Sequence, residues 1–115
     1  MKVLVCGGRS YTDQVRVFQV LDELNKISPI SLIIEGGAEG ADRQARFWAL
    51  DKGVPPMTIH AAWRYYNRAA GHKRNTWMLE FGQPDLCVAF PGGIGTANMV
   101  EQANKSGIDV QEIEA

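Results

Sequence analysis

A chain of 115 residues, 45% apolar and 22% charged, has the size and composition of one domain built on one core. Its net charge of −1 gives no global pull toward nucleic acid, although a local basic patch is compatible with it. No stretch reaches the roughly 18 apolar residues of a membrane span, and Met1–Val5 is too short an apolar run for a signal peptide, so a cytoplasmic protein without membrane association is expected.

Taken in order, Lys2–Cys6 is a valine-rich apolar run of the kind found in a strand covered on both faces. Thr12 or Asp13 can cap a helix whose apolar residues recur at Val17, Val20, Leu21, Leu24 and Ile27, with Pro29 beyond its end. Ser31–Ile34 reads as a second buried strand. Ala41, Ala45, Trp48 and Ala49 share one face of a second helix, which Gly53 and Pro55 stop. Met57–His60 can form a third strand, placed at or near a sheet edge by Pro55 and Pro56.

Residues 61–71 have no clean period and read as a loop with room for a helical turn; a helix follows over 71–81, ended by Gly82 and Pro84. Leu86–Phe90 is a fourth buried strand, 97–106 a helix stopped by Gly107, and Asp109–Ile113 a last strand. Strands alternating with helices through short loops predict an α/β fold: a Rossmann-like, doubly wound, mainly parallel five-stranded sheet of order 3-2-1-4-5, with helices on both faces. Residues 1–115 are read as this single domain.

Cys6 and Cys87 lie within or at the end of apolar strands and suit buried, reduced thiols. His60 and His72 lack metal-ligand spacing, so no zinc site is expected, and no cofactor is called for.

Glycine-rich turns follow strands one, two and four: Gly7-Gly8, Gly36-Gly37 with Gly40, and Gly92-Gly93 with Gly95. In a parallel sheet the carboxyl ends of all strands share one edge, where ligands bind at the reversal of strand order. The three turns are therefore expected to bring backbone N–H groups around one crevice, and the last runs into a helix amino terminus, with Thr96 adding a hydroxyl. Arg9 offers a planar donor fork, Ser10 a hydroxyl and Tyr11 a ring able to pack on a base or sugar. Asp42, after Ala38 in the second turn, could accept from ribose hydroxyls or instead fix the helix start and loop shape. Arg74 and Asn75 could reach the sheet edge and clamp a second phosphate. Trp63, Tyr65 and Tyr66 could form an adenine-stacking wall, but aromatics in an irregular segment more often pack to hold it down.

These segments together resemble the SLOG superfamily, most closely its YspA/YpsA-related branch. The resemblance is carried by residues 7–13, 36–42, 62–63, 69–71, 74–78 and 90–96, nearly the whole chain in order. It implies a Rossmann-like nucleotide-binding domain. The wider superfamily includes the Lonely Guy phosphoribohydrolases, which hydrolyse the N-glycosidic bond of nucleoside 5'-monophosphates. Arg74 and Met78 match their arginine motif, and residues 91–96 match their glycine motif as far as the threonine. Where that motif ends in glutamate stands Met99, which can neither exchange a proton nor stabilise an oxocarbenium-like centre. Glu101, about 200° further round the helix and roughly 3 Å along it, is expected to face away. Asp42, Asp13 and Glu35 are other carboxylates, none selected by spacing. Whether the protein is an enzyme is thus open.

The superfamily also contains DprA, which loads single-stranded DNA, and sensors of ADP-ribose-like signals. The preferred expectation is a sensor or binding protein for a phosphorylated nucleoside or ADP-ribose-like nucleotide, held by Gly7, Gly8, Arg9, Ser10, Gly36, Gly37, Ala38, Asp42, Arg74, Asn75, Gly92, Gly93, Gly95 and Thr96. The alternatives are a nucleoside-monophosphate N-glycosidase and single-stranded nucleic-acid binding through the basic and aromatic cluster of residues 63–74. Near-neutral charge weighs against the last. Phe47, Trp77, Met78 and Phe81 are candidate contacts of a homodimer, and core packing explains them equally.

Overall fold

The computed structural model describes residues 1–115. Five strands, β1 (Lys2–Cys6), β2 (Leu32–Glu35), β3 (Pro56–Thr58), β4 (Leu86–Ala89) and β5 (Asp109–Glu112), form one sheet of order β3-β2-β1-β4-β5. Every neighbouring pair is parallel, so the expected topology holds and the sheet is wholly rather than mainly parallel. The chain leaves β1 in one direction to build β2 and β3 and returns to lay β4 on its other side; Cys6 stands opposite Ala89 at this reversal.

Alternation along the strands explains the two layers of core. Val3 and Val5 point to one face, where they meet Val17 and Leu21 of α1 (Gln14–Ile27) and Ala45 and Trp48 of α2 (Ala41–Lys52). Leu4 and Cys6 point to the other, against Met78 of α4 (Ala70–Gly82) and Met99 and Ala103 of α5 (Ile94–Lys105). Trp48, fully buried, donates its indole N–H to Asp22 Oδ1 across α1 and α2 at 2.9 Å. Cys6 and Cys87 are buried and unbridged, with sulfurs 4.0 Å apart. The mutual hydrogen bond with Cys87, and then burial, raise the Cys6 thiol well above its ordinary value.

Local signals set most element ends. Of the two candidate caps for α1, Asp13 is the one used, accepting from the Arg16 amide at 3.0 Å. Gly53 ends α2 in the left-handed conformation. The third strand is Pro56–Thr58, not Met57–His60, other strand ends differ by at most a residue, and two boundaries depart further from the sequence reading. The segment after β3 forms a short helix, α3 (Trp63–Tyr66), and a 3-10 turn (Asn67–Ala69) that leads directly into α4. The last glycine-rich turn is shorter than expected: α5 begins at Ile94, so Gly95 and Thr96 occupy its first turn and only residues 90–93 link it to β4. No helix is long and apolar enough to cross a membrane.

Candidate functional site

The carboxyl ends of β1 and β4 open into a crevice of about 170 Å³. Its walls are the loop after β1 (Gly7, Gly8, Arg9), the start of α2 with Ala38 and Asp42, the inner face of α4 (Arg74, Asn75) and the start of α5 (Gly93, Gly95, Thr96). Ten of the fourteen expected residues thus meet around one space. Ser10 and Gly92 flank an adjoining cleft that shares Gly8, Arg9 and Gly93. Gly36 and Gly37 line neither space. Cys6 and Met78, read from the sequence as core residues, also reach the floor.

The three turns differ in what their amides do. In the second turn three of them are consumed internally: Asp42 Oδ2 accepts from Gly36 at 3.0 Å and Ala38 at 3.3 Å, and Glu35 Oε1 accepts from Gly37 at 2.8 Å. The expectation of exposed N–H groups from all three turns is therefore corrected, because two carboxylates of the chain already occupy this one. In the first turn, Gly8 donates to the Pro91 carbonyl at 2.9 Å, and its own carbonyl accepts from Tyr11 and Ala41, tying the loop to β4 and α2. Gly40 makes the approach possible: its φ is +76°, and a Cβ there would strike the Gly8 carbonyl oxygen. In the third turn the amides of Gly92, Gly93, Ile94, Gly95 and Thr96 donate to no acceptor within the protein, and four of these residues are exposed. This is the unpaired, partly positive end of a twelve-residue helix.

Arg74 reaches the edge as expected, but part of its donor set is spent on the fold. Nη1 donates to the Gly36 carbonyl at 2.8 Å and Nε to Asn75 Oδ1 at 3.0 Å, leaving three of its N–H groups free of protein partners. Asn75 is buried and passes the restraint on, its Nδ2 donating to the Gly95 carbonyl at 3.1 Å and to Asn98 Oδ1 at 3.0 Å. Asn75 thus positions Arg74 and the start of α5. Asn98 is not legible from the sequence, where an Asn inside a helix carries no signal of its partner.

Asp42 is buried on the crevice wall, with Oδ2 fixed by the two amides and Oδ1 free of protein partners and open to the crevice. Burial raises its carboxyl to about 6, against the opposing pull of its amide bonds and of Arg74. It holds the loop in shape and does not cap α2, whose cap position is Gly40. The other carboxylates lie elsewhere: Asp13 caps α1, and Glu35 is fully buried behind the second turn, bonded to Thr58 and 3.8 Å from Arg46. Met99 is fully buried beneath the sheet, whereas Glu101 turns outward and pairs with Lys105 at 2.9 Å. Tyr11 packs on Phe90, ring centroids 5.4 Å apart, and borders the adjoining cleft with Ser10 and Gly92. Of the four candidate dimer contacts, Met78 is core, Trp77 packs edge-on to Tyr66, and Phe47 and Phe81 are exposed.

Residues 1–66 match a family model described as the YspA, cpYpsA-related SLOG family. The chain belongs to that family. Gene 61 protein of Mycobacterium phage D29 is 38% identical over 118 residues, spanning 95% of this chain and 93% of its own length. The X-ray structure of DNA processing protein A (DprA) from Streptococcus pneumoniae superposes with a TM-score of 0.80 at 20% identity over 99% of this chain. The alignment takes in 50% of DprA, so this SLOG chain shares the fold of half of that protein. Family membership supports nucleotide-related binding.

Proposed function

We propose that this SLOG protein binds a phosphorylated nucleoside in the crevice, as a sensor or binding protein, with a phosphate on the amides of residues 92–96 and the free guanidinium N–H groups of Arg74. The observation that carries the reading is the run of five unpartnered amides at the α5 terminus, facing an arginine already oriented by Gly36 and Asn75. Phosphate oxygens satisfy such donors, and the helix end favours negative charge. Thr96 adds a hydroxyl beside Gly92, where any Cβ would collide with it. Calorimetric titration with AMP, ADP, ATP, ADP-ribose and cyclic mononucleotides tests the proposal; heat from at least one is expected, and none from any of them overturns it. Arg74→Ala should weaken binding by about 2 kcal/mol, as for a charge-assisted hydrogen bond.

A second reading has its own support in Asp42. It is the one carboxylate lining the crevice, one oxygen is open, and its carboxyl is shifted to about 6, where it can both hold and release a proton near neutrality. An N-glycosidase would use it on the ribose or leaving base. Base release from nucleoside monophosphates, abolished in Asp42→Asn, is the outcome this reading requires.

A further inference from the structure

The inner crevice continues outward into a larger bay. Arg9, Arg74 and Gly95 border both, forming a neck between them. Beyond the neck the bay is walled by Trp63, Arg68, His72 and Ile94, with Gly71 beside the indole. Two features need an explanation that folding does not supply. Trp63 and Ile94 are 49% and 82% exposed, from segments 31 positions apart, and both turn to the same bay instead of the core. Large apolar side chains gathered at the mouth of a polar cleft mark a contact surface. The wall also carries three arginines and a histidine with no carboxylate among its residues, in a chain of net charge −1.

We propose that the outer bay is the nucleobase subsite of a nucleotide carrying at least two phosphates. This deepens the binding reading above and rests on it. The terminal phosphate lies on the α5 amides, the next one in the neck between Arg9 and Arg74, and the base in the bay, stacked on Trp63 and covered by Ile94. Gly71 lies against the indole, where a Cβ would make an ordinary contact with Trp63 Cη2 at 3.6 Å. Arg9 already sits over the Trp63 ring, 5.9 Å from its centroid, so the stacking residue and the neck arginine are held together before ligand arrives. Arg68 and His72 at the rim offer donors to the edge of the base.

Tryptophan fluorescence and calorimetry with ADP, AMP and inorganic pyrophosphate test this. Trp48 is fully buried and Trp77 packs against Tyr66, so a saturable quench by ADP that disappears in Trp63→Phe reports the bay. Trp63→Leu should weaken ADP about tenfold, the loss expected of one base–aromatic stack, and leave pyrophosphate affinity unchanged; Trp63→Phe should recover most of it. ADP should bind more tightly than AMP, and Arg9→Ala should collapse that difference. ADP binding that is indifferent to Trp63→Leu, or AMP binding as tight as ADP, overturns the subsite and leaves nucleotide binding standing. Absence of binding by ADP, AMP, ATP, ADP-ribose and cyclic mononucleotides while pyrophosphate or an oligonucleotide binds overturns the subsite together with the nucleotide reading.

Discussion

Gly40 carries a steric demand that no other residue can meet. Its φ of +76° disfavours a side chain, and a Cβ would also press on the Gly8 carbonyl and lie 2.6 Å from the Arg9 carbonyl oxygen, both of them backbone. Gly53 has nearly the same φ, +71°, with nothing near its Cβ position. The pair separates conformation from collision: Gly53→Ala should cost about 1 kcal/mol, and Gly40→Ala about 3 kcal/mol, in urea unfolding. The Gly40 variant should also lose nucleotide affinity, because the first loop must move. Met99 raises a different question. Restoring the glutamate of the Lonely Guy pattern there would place a carboxylate at a fully buried position among Leu4, Met78 and Ala103. Met99→Glu should therefore destabilise the fold by about 3–5 kcal/mol at pH 7 without creating base-releasing activity. Asp42 makes a prediction in pH. Its folded-state value of about 6 lies above the unfolded 3.8, so the folded chain holds the extra proton between the two and stability falls as pH rises through that window. The stability difference between wild type and Asp42→Asn should shift by about 3 kcal/mol against wild type from pH 3.5 to pH 7, read from urea titrations at each pH.

At the scale of elements, α4 and α5 meet through a polar ladder alongside their apolar contacts. Asn75, Asn98, Gln102 and Thr76 bond to one another and to the His72 and Gly95 carbonyls. Asn75→Ala leaves the Arg74 Nε–H and the Gly95 carbonyl without this partner; it should cost about 2 kcal/mol of stability and weaken nucleotide binding although Asn75 itself is buried. This ladder shows where reading the sequence succeeds and stops. Hydrophobic period, prolines and glycines are local signals, and they find all five strands, four of them to within a residue, from which the sheet order follows by the rules of parallel α/β folds. The start of α5 is not legible because Gly95 resembles loop chemistry yet sits in the first turn of the helix. Which amides stay free is not local at all. Nothing in Gly36-Gly37-Ala38 distinguishes it from Gly92-Gly93-Ile94, yet the first is sealed by Asp42 and Glu35 and the second left open. Trp63 is legible as an aromatic that either stacks on a ligand or packs its segment down, and its exposure, which bears on that choice, is set by the tertiary fold around α3.

For the molecule as a whole, the crevice is where the two halves of the chain meet. Residues 1–66, matched by the family model, contribute Gly7, Arg9 and Asp42, while Arg74, Asn75 and the α5 terminus come from beyond them. Both halves share one sheet, since β1 pairs with β4. A ligand spanning the crevice therefore contacts both sides of one cooperative unit and should stabilise it globally. With ADP as the probe, urea unfolding should remain a single transition with unchanged slope, and its free energy should rise by about 2.7 kcal/mol at a free ligand concentration of one hundred times Kd. In Arg74→Ala at the same ADP concentration the gain should be smaller by the binding energy lost, since linkage ties the two measurements together. A biphasic transition, with ADP shifting only one phase, would show that the halves unfold separately and that ADP grips one of them alone.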